Sequence, residues 1–450
     1  MLLPSYDIVV VGAGTGGCLA AWRAAKLGLK VLLVEHKPRG CIGDKVCGDA
    51  IGAHHFEALG LTPPRGEELA NVIKGIEVYS PNREAVFKVE GEGLHGYIVN
   101  RWAFGQRLLK MALDAGAELM DSSTALDLVI EGGRALGVKV RTKGEVVEVY
   151  ASVVVDATGY PSTLRRKAPS SWLMVNPPPE DYVVCYREIR RLEEPIERPE
   201  YCRIYLNQRI SPGGYVWFFP RGSLEVNVGL GVQVGRGFNP RELFQRYVVG
   251  SLVSSKSSVV HKGGGVVPTR RPLDPLVGDG FMVIGDAACQ ANPIHGGGIG
   301  PSMRAGVLAA EAASQALDLG DVSARGLWSY AKRYMELYGY KQACLDAFRV
   351  FLQSLEDEDL DWGMKVRLVT ERDLLAASMG KELKLSLTDK AYRLLRGVGR
   401  LSLLLKLRRT AEAMRRLRQL YLNYPEPEGL VRWRAEVEGV FNWLKEGLKG

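Results

Sequence analysis

A glycine-rich turn between a β-branched strand and a small-residue helix sets the first limit on what this chain can fold into. Tyr6 to Val11 is a short apolar run of the kind a parallel strand buried on both faces requires. Gly12, Gly14 and Gly17 follow in G-x-G-x-x-G spacing around Thr15, and Cys18 to Leu27 reads as a helix closed by Gly28. A second strand, Lys30 to Val34, ends in Glu35, 21 residues after Gly14. Gly12 permits a tight turn, Gly14 lets backbone approach a pyrophosphate, and Gly17 lets helix and strand pack closely. The helix N-terminus offers unpaired N–H groups and partial positive charge to the phosphates. Glu35 is placed to accept hydrogen bonds from a ribose with a free 2′-hydroxyl, so the site suits FAD or NAD better than NADP.

Two later segments choose between these. Val153 to Val155 leads into Asp156-Ala157-Thr158-Gly159, a strand ending in D-A-T-G. Phe281 to Ile284 leads into Gly285-Asp286-Ala287-Ala288, then a glycine run with Gly297, Gly298 and Ile299, and a helix from about Pro301 to Leu317. Asp286 is suited to hold a ribityl hydroxyl. The glycines bring backbone N–H groups against a planar ring, and the helix aims its positive end where a reduced flavin carries negative charge. A nicotinamide enzyme has no use for a second contact so far along the chain, so the expected cofactor is FAD.

The chain has 450 residues, 46% hydrophobic and 24% charged, an ordinary globular balance for two or three domains. No apolar run is long enough to predict a transmembrane helix, and the N-terminus lacks a secretory pattern. Seven cysteines without a C-x-x-C pair fit a reduced, cytoplasmic chain and give no support for a zinc or iron–sulfur site; no metal is expected. The net charge of +8 is local: ten Lys or Arg and one acid, Glu412, lie between Lys390 and Leu420. That pattern predicts an anionic surface or acidic partner at the C-terminal end, not nucleic acid. Leu401 to Arg409 mixes leucines with basic residues, which allows a peripheral membrane contact or a packed helix with a solvated basic face.

These elements together resemble the flavoprotein superfamily of p-hydroxybenzoate hydroxylase and geranylgeranyl reductase. The resemblance maps the glutamate after the second strand to Glu35, an arginine opening a helix to Arg101, and an adenine-side strand to the neighbourhood of Ala125. Gly43 to Ala50 looks like the P-x-x-C-G region of geranylgeranyl reductases, with Asp44 where the pattern has proline. In that family the cysteine, here Cys47, sits beside the flavin, and Gly48 and Ala50 line it. Tyr215-Val216-Trp217-Phe218-Phe219-Pro220, then eight residues, then Gly229-Leu230-Gly231 complete the signature Y-x-W-x-F-P…G-x-G. Alternation places Tyr215, Trp217 and Phe219 on one face, an aromatic wall for a long apolar isoprenoid. The resemblance covers essentially the whole chain and is to archaeal enzymes that saturate digeranylgeranylglycerol lipids. It makes Lys341 the match for a lysine that contacts the lipid head group.

The expected fold is α/β: a Rossmann-type FAD-binding domain, an antiparallel β-sheet substrate domain and a helical C-terminal region. The boundaries read as 1–165 and 270–320 for the FAD-binding domain, 166–269 for the sheet and 321–450 for the helices. The implied reaction is saturation of isolated C=C bonds, a hydride coming from flavin N5 and a proton from the protein. Cys47 is the candidate acid, a packing role being its alternative. With one G-x-G-x-x-G unit, the flavin is expected to be reduced by ferredoxin or by transient NAD(P)H binding. The rival reading is a flavin-dependent monooxygenase or halogenase, since halogenases carry a similar W-x-W-x-I-P segment.

Overall fold

The computed structural model describes residues 6–91, 94–371, 373 and 400–449. Of the basic segment, Lys390, Arg393 and Arg396 lie outside the described residues.

Strand Tyr6–Val11 lies between Val31–Val34 and Glu145–Asp156, parallel to both. Glu118–Met120 extends this parallel sheet beyond Val31–Val34, and Phe281–Val283 extends it beyond Glu145–Asp156. Ile8 to Val11 and Val31 to Val34 at its middle are fully buried, as their unbroken apolar sequence requires. Helices Thr15–Lys26 and Ile299–Asp318 pack together. They approach because small residues face each other: a Cβ on Gly306 would stand 2.2 Å from the Gly16 carbonyl oxygen. This is the Rossmann-type layer, with a β excursion formed by Thr124–Glu131, Arg134–Thr142 and the first half of Glu145–Asp156.

The second sheet has seven strands and is mostly antiparallel. It runs in order Ser258–Pro268, Tyr182–Arg191, Glu225–Gln233, Val216–Pro220, Tyr201–Tyr205, Gly75–Tyr79, Val86–Glu90. The last two strands differ from the sequence division, which placed them with the FAD-binding portion. They join this sheet because Gly75–Tyr79 pairs in parallel with Tyr201–Tyr205, a register fixed only in three dimensions. One face packs on helix Pro240–Tyr247 through Val216, Phe218, Val228 and Phe244. The other face is turned toward the C-terminal helices Tyr340–Leu352, Asp357–Lys365 and Leu401–Leu422.

Candidate active site

A single cavity of about 1610 Å³ begins at the first glycine turn and runs between the second sheet and the C-terminal helices. Its first end is formed by Gly12 to Gly17, Glu35 and Ala125. The three glycines do different work. A Cβ on Gly12, where φ is +107°, would meet the Ala157 carbonyl oxygen at 2.4 Å, and one on Gly17 would meet the Gly12 carbonyl oxygen at 1.8 Å. A Cβ on Gly14 would meet nothing within 4 Å, so that backbone faces open space. Glu35 is buried and accepts the Ala13 N–H at 2.7 Å and the Lys37 N–H at 2.9 Å. Ala125 closes the same end.

Two helix N-termini converge here. Neither Thr15–Lys26 nor Ile299–Asp318 has an acid in its first turn or a side-chain cap, so their positive ends are left for a ligand. The Thr15 and Ser302 hydroxyls, 2.9 Å apart, tie them together. Arg101 opens a helix capped by Asn100; it is buried, and its Nε and one Nη have no partner within the protein. Burying an unpaired guanidinium is costly, so these donors call for an acceptor that the chain does not itself provide. Open backbone at Gly14, two uncapped helix ends and an orphaned Arg101 fit an anionic dinucleotide.

Further along, Gly297, Gly298 and Ile299 line the cavity opposite Cys47, Gly48 and Ala50. Asp286 accepts from Lys45 Nζ at 3.1 Å. The Asp286 carboxylate holds the Lys45 ammonium above its ordinary value. Cys47 Sγ accepts the Asp49 N–H at 3.3 Å, and the Cys47 carbonyl accepts from Asn227 Nδ2 at 2.7 Å. Asn227 also donates to Asp49 Oδ2 and accepts from Trp217 Nε1, joining the thiol loop to the aromatic strand. Asp49 is paired with Arg221 at 2.8 Å, while burial raises its carboxyl.

Tyr215, Trp217 and Phe219 all face the cavity, whereas Val216 and Phe218 enter the opposite core. Tyr215 donates to the His295 carbonyl at 2.7 Å. A row of cross-strand pairs runs from Gly263 through Arg187, Gly229, Trp217, Ile204 and Val78 to Phe87. The G-x-G glycines clear this floor: a Cβ on Gly229 would stand 2.4 Å from the Trp217 ring. The far end is apolar, with Phe348, Phe351, Leu355, Leu360, Met364 and Leu403. Lys341 lines the side wall, its Nζ 5.9 Å from the Tyr338 ring, and burial lowers its ammonium. A π-turn at Met335–Gly339 carries Tyr338 onto the cavity. There it meets His55 at 3.4 Å. Loss of hydration, then His54, His295 and Lys341, push His55 down to about 3.

One expected cofactor residue is not on the cavity. Asp156 is fully buried and spends its carboxylate on Thr158 N–H and hydroxyl and on Arg165 N–H, at 2.6 to 2.9 Å. It shapes the turn that presents Gly159, which does line the cavity. Sequence reading missed Lys45, Arg187, Arg221 and Asn227. The available signal was a polar residue inside an apolar strand, as Asn227 is in Val226-Asn227-Val228.

Residues 7–165 match the family model "FAD dependent oxidoreductase", and residues 181–267 match "Geranylgeranyl reductase catalytic domain". A digeranylgeranylglycerophospholipid reductase of Methanothrix thermoacetophila is 36% identical over 79% of this chain and 89% of its own. The structure of a geranylgeranyl bacteriochlorophyll reductase-like protein of Thermoplasma acidophilum superposes with a TM-score of 0.76 at 27% identity, over 90% of this chain and 99% of that one. A flavin-dependent brominase superposes with a TM-score of 0.60 at 20% identity, over 87% and 94% of the two chains, a likeness of fold. A digeranylgeranylglycerophospholipid reductase of Sulfolobus acidocaldarius is 44% identical over 98% of this chain and 99% of its own, and with that match the chain belongs to the digeranylgeranylglycerophospholipid reductase family.

Proposed function

We propose that this enzyme saturates isolated C=C bonds in the geranylgeranyl chains of digeranylgeranylglycerol phospholipids, with FAD as its cofactor. The observation that carries the reading is the continuity of the cavity, from Glu35 past Cys47 and Trp217 to Leu360 and Leu403. Its volume of about 1610 Å³ exceeds the roughly 300–1000 Å³ usual for one small ligand. It accommodates a dinucleotide and an isoprenoid chain end to end.

Bound reduced FAD supplies hydride at ring N5. The protein supplies the rest, because an isolated alkene has no carbonyl to polarise. Trp217, Phe219 and Tyr215 hold the bond in place and keep water out. Cys47 donates the proton; its sulfur already accepts the Asp49 N–H, which leaves the S–H as donor toward the cavity. For the cofactor, Glu35 serves the ribose, Gly14, Thr15 and Arg101 the pyrophosphate side, and Asp286 the ribityl chain. Gly48, Ala50, Gly297, Gly298 and Ile299 serve the ring. Lys341 meets the anionic head group. Electrons come from reduced ferredoxin or NAD(P)H docking on the enzyme.

Among the described residues no helix is long and apolar enough to cross a membrane. Leu401 and Leu405 are exposed beside basic residues, in keeping with peripheral contact at an anionic bilayer. The test is anaerobic incubation of chemically reduced, FAD-loaded protein with a digeranylgeranylglycerol phospholipid. Mass spectrometry should show gain of H2 per reduced bond. Unchanged lipid, or product that forms only with oxygen, rejects the reading.

A further inference from the structure

Arg187 is a charge set into an otherwise apolar and glycine floor. Its neighbours along the row are Gly263, Gly229 and Trp217. It is 3% exposed, lines the cavity, and its Nε has no partner. One Nη lies 2.7 Å from Nδ1 of the exposed His261. The thiol loop crosses directly above it. Val46 occupies the space over Gly263 on one neighbouring strand, where a Cβ would stand 2.5 Å from Val46 Cγ2. Asn227 on the other neighbouring strand holds the Cys47 carbonyl. Strand Tyr182–Arg191 runs between these two anchors, so Arg187 sits beneath the segment Val46–Cys47.

The groups that face Cys47 are Lys45 and Asp49 on its own loop, Cys185 and Arg187 from the strand below, and Tyr215. Burial pushes Cys185 up to about 12 and raises Tyr215, so both stay neutral. Lys45 is engaged by Asp286, and Asp49 by Arg221 and Asn227. Arg187 acts on both Asp49 and Cys47, and its Nε is the donor left without a partner beneath the loop.

We propose that Arg187 is the positioning residue that holds the Cys47 sulfur as a thiolate once its proton has gone to the substrate. This rests on the reading of Cys47 as proton donor. In that step the S–H bond breaks as a C–H bond forms at one alkene carbon, and the other carbon takes hydride from the reduced cofactor. Sulfur keeps the electron pair of the broken bond as a thiolate beside the guanidinium. It regains a proton from water when product leaves. A thiol in apolar surroundings is a poor acid; a fixed cation beside it is the usual remedy.

The test measures iodoacetamide alkylation of Cys47 in FAD-loaded protein, followed by peptide mass spectrometry across a pH series. R187M should slow Cys47 alkylation at neutral pH by about tenfold or more and move its pH profile upward, with flavin absorbance retained. R187K, which keeps the charge, should restore most of the rate, and kcat should fall in R187M with little change in KM. Unaltered Cys47 alkylation in R187M with flavin bound overturns the proposal, as does failure of R187K to recover any of a lost rate. Undiminished turnover in C47A instead overturns the proton-donor reading beneath it, a result the alkylation assay does not produce.

Discussion

The imidazole of His55 occupies the space into which a side chain on Gly300 would project: a Cβ there would lie 2.2 Å from His55 Cδ2. The first turn of helix Ile299–Asp318, which lines the cavity, is therefore packed flush against a histidine on the cavity wall. Gly300→Ala should force the two apart, costing about 1–3 kcal/mol. Thermal melts should show a lower Tm, and flavin titration a weaker affinity. Adding His55→Ala to Gly300→Ala should recover much of both.

His55 and His295 also make stability depend on pH. Burial lowers His55 to about 3 and His295 to about 4. An unfolded chain protonates both near about pH 6.5, so it binds more protons than the folded chain below that value. The stability tied to their neutral forms is fully present above about pH 6.5 and is lost as pH falls toward the folded values. Tm should drop between about pH 7 and about pH 4.5, and drop less in His295→Asn, whose side chain does not titrate. An equal drop in both proteins would contradict this.

Asp286 links the thiol loop to the glycine loop through Lys45. Asp286→Ala should remove that link and, on the proposed placing of FAD, a ribityl acceptor with it. FAD affinity should fall by about tenfold or more, as for loss of a charge-assisted hydrogen bond. Flavin fluorescence during titration of deflavinated protein gives the measurement, and Asp286→Asn should lie between.

Trp217 Nε1 donates to Asn227 Oδ1 at 3.0 Å in a buried setting. Trp217→Phe keeps a ring but leaves the Asn227 oxygen unsatisfied. Denaturant unfolding should show a loss of about 1–3 kcal/mol.

Leu360 lies at the far end of the apolar space. Leu360→Trp should shorten it and raise KM for full-length geranylgeranyl lipids by about tenfold relative to shorter prenyl chains. Flavin binding should not change, because the two ends of the cavity are lined by different elements.

Much of the site was legible because its chemistry is carried by local backbone requirements. Gly17 is required by its contact with Gly12 inside one strand–turn–helix, Gly12 by the positive φ of that same turn, and Tyr215, Trp217 and Phe219 share a face through strand alternation alone. Asp156 misled for a related reason. An acid at the end of a strand beside a glycine looks the same whether it meets a ligand or ties down its own turn, and here it does the second. Arg187, Asn227 and Lys45 were missed because their partners lie far away in sequence.

The linear order of residues by itself determined the glycine turn, the buried apolar runs that become strands, the glycine loop and the aromatic strand, since each is carried by a pattern within a few residues. The tertiary structure alone decided that Gly75–Tyr79 and Val86–Glu90 complete the second sheet, that the thiol loop lies above Arg187, and that one cavity joins both ends. The pairing of Gly75–Tyr79 with Tyr201–Tyr205, which brings the adjoining Val86–Glu90 with it, and the seating of Val46 over Gly263 join segments more than a hundred residues apart. Such register is fixed by the packing of whole sheets and helices, which no local pattern encodes.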